Sequence, residues 1–246
     1  IHENKYFTWE QTFMRCTQLA SSLSQKLTKG NVVGFIASNT PELYEAHFGV
    51  PMAGMILNAI NYRLNANTIA YIIDHSNIKL LFIDTEFFQL GKEAVNLSKE
   101  KPDIIIVKDE QTFTFDTSYS HRDYEQFLES YDSDFNYYKP LDEWESLSIN
   151  YTSGTTGNPK GVVYHHRGAY LNAMGNSLEW DMKMHPTYLW TLPMFHCNGW
   201  CFPWTIAMRA GTNICLRKIT GENIYDKIFS HGVEYLCGAP TVLSFI

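Results

Sequence analysis

No run of this sequence reaches the roughly 18 uncharged apolar residues that a membrane span requires. Residues 46–60 come closest, and His47, Pro51 and Asn58 interrupt them. Cysteine is sparse. The five, at positions 16, 197, 201, 215 and 237, form no paired framework, which fits a reducing compartment. Cys197 and Cys201 lie beside His196, but no second ligand cluster follows, which speaks against zinc and for small buried side chains or free thiols. Basic residues are in the minority, 19 against 26 acidic, and the net charge of −7 argues against a nucleic-acid partner. The deficit is local: residues 101–145 hold twelve Asp or Glu and four Lys or Arg. No signal peptide is visible. An initiating methionine and a polar tail are also missing, so both ends read as cuts through a longer protein.

What is present suits a globular chain: 246 residues, 45% hydrophobic and 18% charged. Thr8 and Gln11 make a capping box for an amphipathic helix to about Lys26. Short apolar runs then alternate with helical stretches. VVGFIA, MILNAI, LLFID and DIIIV read as strands, and Asn39 or Thr40 can cap a helix opening on Pro41. Continuous apolar strands between helices predict a parallel sheet covered on both faces. From Lys108 to Glu145 the pattern dissolves, apart from one helix near Tyr124–Ser130. A second α/β run follows, with strands at LSINY, GVVYHH, YLWTLP, NICLR and VEYLCG. The expected division is a first α/β subdomain at 1–108, an acidic surface excursion at 109–145 and a second subdomain at 146–246.

Between LSINY and GVVYHH, Thr152 to Gly161 hold three glycines, four Ser or Thr, a proline and a lysine. This is not a Walker loop. Counted from Gly154, the required Gly, Lys and Ser/Thr fall on Pro159, Lys160 and Gly161, and both flanks read as strands. Backbone N–H groups and hydroxyls can still form an anion nest there, with Ser153, Thr155 and Thr156 as donors. Gly154 and Gly157 supply unusual backbone angles, and Lys160 a mobile positive charge. On composition alone, a solvated turn reads nearly as well.

The wider spelling separates the two. Tyr151 to Val162, YTSGTTGNPKGV, resembles throughout the phosphate-binding signature of the adenylate-forming superfamily of acyl-CoA synthetases, luciferases and adenylation domains. Asn61–Phe82 and Leu192–Trp200 (LPMFHCNGW) extend the resemblance along the chain, which is most similar to plant acyl-activating enzymes of the benzoate- and cinnamate-CoA ligase type. The resemblance implies an α/β fold, an incomplete large N-terminal domain with two doubly wound α/β subdomains. It also implies an acid–thiol ligase (AMP-forming) that activates an aromatic or fatty carboxylic acid with ATP and Mg2+ and passes it to coenzyme A.

By the same resemblance, Thr152, Ser153, Gly154, Thr155, Thr156, Gly157 and Lys160 hold the ATP phosphates, and Thr152 faces the magnesium ion. His196 meets the acid's carboxylate. Residue type alone would make His196 an ordinary core histidine. Asn198, Gly199, Trp200 and Gly238 shape the acyl pocket, although Trp200 and Trp204, four apart, also suit one packed helix face, and Gly238 a simple turn. MFHCNGWCFPW contains no carboxylate to pair with a substrate ammonium, so an uncharged-tail acid is expected. The setting implied is intracellular, cytosol or peroxisome. The motifs expected beyond Ile246 are absent, so this chain alone is expected not to complete the reaction. A truncated, non-catalytic nucleotide-binding or interaction protein remains the alternative.

Overall fold

The computed structural model describes residues 1–109, 112, 122–152, 157–244 and 246. Thr8 caps α1 (Trp9–Ser24) as expected, its side chain accepting from the Gln11 N–H while the Gln11 side chain accepts from the Thr8 N–H. Strands β1 (Val32–Ile36), β2 (Ile56–Ala59), β3 (Ile78–Asp84) and β4 (Asp103–Val107) alternate with α2 (Pro41–Met52), α3 (Ala66–Ser76) and α4 (Phe88–Leu97). All pair in parallel, with β1 between β2 and β3, and β3 bonded to β4. Their residues are almost wholly buried, because helices cover both faces.

The acidic stretch is anchored to the core rather than being a surface excursion throughout. Its helix α5 (Tyr124–Leu128) buries Tyr124, Phe127 and Leu128 in the main core. The Phe127 ring meets Phe82 edge-on at 5.4 Å, and the Tyr124 hydroxyl donates to Glu45 at 2.8 Å.

Next come β5 (Ser146–Thr152) and β6 (Lys160–His165), and the sheets do not follow the expected boundary at 146. Both strands join the first sheet, whose order is β4-β3-β1-β2-β5-β6. β5 lies parallel to β2 through Leu57 and Ser148, and β6 returns antiparallel at the edge. An apolar run specifies a strand but not its neighbour, and this neighbour lies about 90 residues upstream.

After α6 (His166–Glu179), a separate parallel sheet forms in the order β8-β7-β9 from β7 (Thr187–Trp190), β8 (Thr212–Cys215) and β9 (Tyr235–Leu236). Between β7 and β8 stand a single turn, α7 (Cys197–Trp200), and α8 (Phe202–Met208). α9 (Gly221–His231) and α10 (Pro240–Leu243) follow β8 and β9. No helix among the described residues is long and apolar enough to cross a membrane.

Two polar clamps join the sheets. The Asn39 amide donates to the Trp190 and Leu192 carbonyls at 2.8 and 3.1 Å and accepts from the Met194 N–H at 2.8 Å. It is therefore not the helix cap that its place before Pro41 suggests. Arg217, just past β8, is 7% exposed and pairs with Asp84, Glu86 and Asp109 from the first sheet's side, each at 2.7–2.8 Å.

Candidate active site

The phosphate-side segment is a hairpin between paired strands, as its flanks predict. In its ladder Tyr151 stands opposite Gly161 and Thr152 opposite Lys160, so the two candidate side chains sit together at the mouth, both exposed. Ser153, Gly154, Thr155 and Thr156 lie outside the described residues. Gly157 has φ +118°, a conformation that side-chain-bearing residues rarely adopt. Gly161 serves a different end, since a Cβ there would meet Ile149 at 2.7 Å. The base of the hairpin is tied to α3. Tyr151 Oη and His75 Nδ1 are hydrogen-bonded at 2.6 Å, and Tyr71 stacks on the His75 ring.

The acid-side motif begins where β7 ends. Phe195 is buried, its ring edge-on to Tyr62 at 5.0 Å. His196 is exposed and precedes α7, its N–H donating to the Pro193 carbonyl at 3.0 Å. The next five residues all carry positive φ: Cys197 48°, Asn198 50°, Gly199 54°, Trp200 53° and Cys201 65°. This is a left-handed turn, which costs about 1–2 kcal/mol for each non-glycine residue. Packing and hydrogen bonds hold it. A Cβ on Gly199 would meet the Trp190 ring at 2.6 Å, so only glycine lets the turn lie against the indole. The Trp200 carbonyl accepts from the Asn176 amide at 2.8 Å.

Asn198 is fully buried inside the turn. Its Oδ1 accepts from Ser148 Oγ at 2.6 Å and from Asn150 Nδ2 at 2.5 Å, both on β5. Behind the turn, the Trp204 indole donates to the His47 carbonyl at 3.2 Å. The His47 ring donates through Nδ1 to the Leu43 carbonyl at 2.7 Å, and burial lowers its pKa to about 4.

Hairpin and motif meet across a cavity of about 260 Å³. Asn150, Tyr151, Thr152, Pro159, Val162 and Tyr164 line it from the hairpin strands, and Phe195, His196 and Cys197 from the motif. Asn58–Asn61, Leu64 and Ile72 close the side toward the first sheet. No carboxylate is among the lining residues. Burial pushes the Tyr151 and Tyr164 phenols up, helped at Tyr164 by the adjoining Cys197, so both stay neutral and protonated. A larger cavity of 340 Å³, lined by Trp9, Tyr44 and Asn213 among others, includes none of the candidate residues.

The cavity thus brings Thr152 and His196 together. Lys160, Asn198, Gly199, Trp200 and Gly238 do not line it. Trp200 is 49% exposed, and the positive φ of Cys201 separates it from Trp204, so the two share no regular helix face. Gly238 follows β9, where a Cβ would meet Val242 at 2.8 Å, the signature of a tight turn. Sequence reasoning missed Asn39, Ser148 and Asn150, which hold the motif in place. The available signal was weak: two polar residues at alternate positions of an apolar strand, and an asparagine that suited a cap.

A family model described as AMP-binding enzyme matches residues 1–246. The peroxisomal acetate/butyrate–CoA ligase of Arabidopsis thaliana is 45% identical over all of this chain, and the peroxisomal benzoate–CoA ligase of the same plant is 44% identical over all of it. The chain spans 45% and 44% of those relatives' lengths, slightly less than half. Among solved structures, the O-succinylbenzoate coenzyme A synthetase of Bacillus subtilis, in complex with AMP, superposes with a TM-score of 0.81 at 19% identity. That match covers 99% of this chain and 46% of the other, and it shows the shared fold.

Proposed function

The chain belongs to the AMP-binding enzyme family, and from that premise we propose that it is the part of an ATP-dependent acyl-CoA ligase that holds the ATP phosphates against the acid. In the first step the carboxylate oxygen attacks the α-phosphate, and the bond to the β-phosphate breaks to release pyrophosphate. The coenzyme A thiol then displaces AMP from the acyl-adenylate, losing its proton and forming the thioester. Bringing an anion to a polyanion requires charge neutralisation and positioning rather than a protein nucleophile.

One observation carries this reading: the hairpin mouth and His196 border the same carboxylate-free cavity. Thr152 and Lys160 at the mouth face the phosphates, with Ser153 to Gly157 completing the cradle. His196 orients the acid's carboxylate by donating a hydrogen bond, and the lining accepts the uncharged tail. Magnesium would be held chiefly by phosphate oxygens, with the Thr152 hydroxyl as its one protein ligand in this lining. The relatives' names include acetate, butyrate and benzoate, and a short or aromatic acid suits the 260 Å³ cavity. Their peroxisomal designation supports an intracellular setting.

Calorimetry with magnesium ATP tests the assignment. Losing one charged contact of about 1.5–3 kcal/mol should weaken binding by Lys160→Ala roughly 10- to 100-fold. His196→Ala should leave ATP affinity within about twofold but weaken retention of the acid. Unchanged ATP affinity in Lys160→Ala would remove the hairpin from the site.

A further inference from the structure

We propose that Asn198 is a positioning residue. Clamped to Ser148 and Asn150, it fixes the turn that carries His196 to the strand that carries Thr152, and so sets the distance between the acid and the phosphates. This deepens the ligase reading above and rests on it.

Three observations converge on this residue. The left-handed turn is only five residues long, and four of them are not glycine. Left to local preference it would relax toward negative φ. Next, Asn198 makes no contact with the cavity, being buried with both of its side-chain bonds directed to β5. Its position is therefore wrong for touching a ligand and right for holding two elements together. Finally, those two bonds land at residues 148 and 150, four and two positions before Thr152 on one strand. Strand geometry places 148, 150 and 152 on the same face, so the clamp sets the register of the acid side against the phosphate side.

The clamp is also underbonded. Asn198 Nδ2 and Asn150 Oδ1 are buried without hydrogen-bond partners. Turning both amides over keeps an Asn198–Asn150 bond, with Asn198 Nδ2 now donating to Asn150 Oδ1 and to Ser148 Oγ. Either arrangement joins the turn to the strand, and neither satisfies every polar atom.

A ligand that touches only one side is indifferent to this spacing, whereas one that spans both sides is not. The test is therefore calorimetry on the 246-residue chain with two probes, magnesium pyrophosphate and a non-hydrolysable butyryl-sulfamoyl-adenosine. Asn198→Gly keeps the backbone at ease in the left-handed region but deletes the clamp. It should lose at least tenfold in affinity for the spanning probe while staying within about twofold for pyrophosphate. Asn198→Asp, which can still accept from Ser148 and Asn150, should recover part of that loss. Ser148→Ala, at a residue that does not line the cavity, should weaken the spanning probe in wild type but not in Asn198→Gly.

Equal weakening of both probes would mean general loosening of the structure and would overturn the proposal, as would wild-type affinity for both. If wild type binds neither probe, the ligase reading fails, and the positioning role with it. If wild type binds both and Asn198→Gly matches it, only the positioning role fails.

Discussion

The two halves of the candidate site are built on opposite plans. The hairpin is an exposed edge, with Thr152 and Lys160 open at its mouth and open space where a Cβ on Gly157 would stand. The turn at Cys197–Cys201 is packed against Trp190, clamped by Asn198 and backed by His47 and Trp204. A polyanion would be suited by a long cationic side chain such as Lys160 at an exposed edge. A carboxylate that must arrive in line with a leaving group is suited by a rigid mount. The contrast separates an exposed half from a packed one.

The sharpest way to break that contrast is Gly199→Ala. The added methyl would fall 2.6 Å from the indole at a positive φ, and overpacking plus left-handed strain should cost about 3–4 kcal/mol, read by urea denaturation. A loss below 1 kcal/mol would mean that the turn yields easily.

His47 supplies a pH signature for the same side. Its pKa is depressed to about 4 in the folded chain, so the unfolded state takes up more protons between that value and the usual His range. This contribution is therefore complete above about pH 6.5 and lost as pH falls toward 4, a change of about 3 kcal/mol. His47→Gln should flatten that part of the stability–pH curve, and an unchanged slope would show that His47 charges freely.

Asn39→Ala comes next. It strands two carbonyls and one N–H that the amide now satisfies, and about 2 kcal/mol of destabilisation is expected by thermal or denaturant unfolding. Lys160→Ala is the opposite extreme. Exposed and outside the core, it should alter stability by less than about 0.5 kcal/mol while its effect on ATP affinity stays large. Comparable destabilisation by Lys160→Ala and Asn39→Ala would erase the distinction between the two halves.

How much of this was legible in the sequence follows the same line. The hairpin was legible because turn formers between two apolar runs specify a local structure, and DIIIV became β4 without adjustment. The capping box at Thr8 was legible for the same local reason. Sheet membership was not. The partner of β5 is β2, and their recorded register is the single pair Leu57 and Ser148, which no pattern within either segment encodes. Nor was the left-handed turn. Of its residues only Asn198 and Gly199 favour positive φ, while Cys197, Trp200 and Cys201 are carried there by tertiary packing. Asn39 misled because its local role, a cap before Pro41, and its actual one use the same chemistry at different distances.

One guanidinium has a consequence for the molecule as a whole. Arg217 answers three carboxylates that belong to the other sheet's side, and Asp109 among them also receives the His2 ring at 2.8 Å. Without that cation, acids at 84, 86 and 109 would crowd one another in a region of low polarisability. Neither layer can therefore be peeled away while the other stays at rest. Heat or denaturant acting on either should release both at once, so that the nine strands among the described residues melt in one transition, with a steepness set by their combined surface rather than by that of six and three apart.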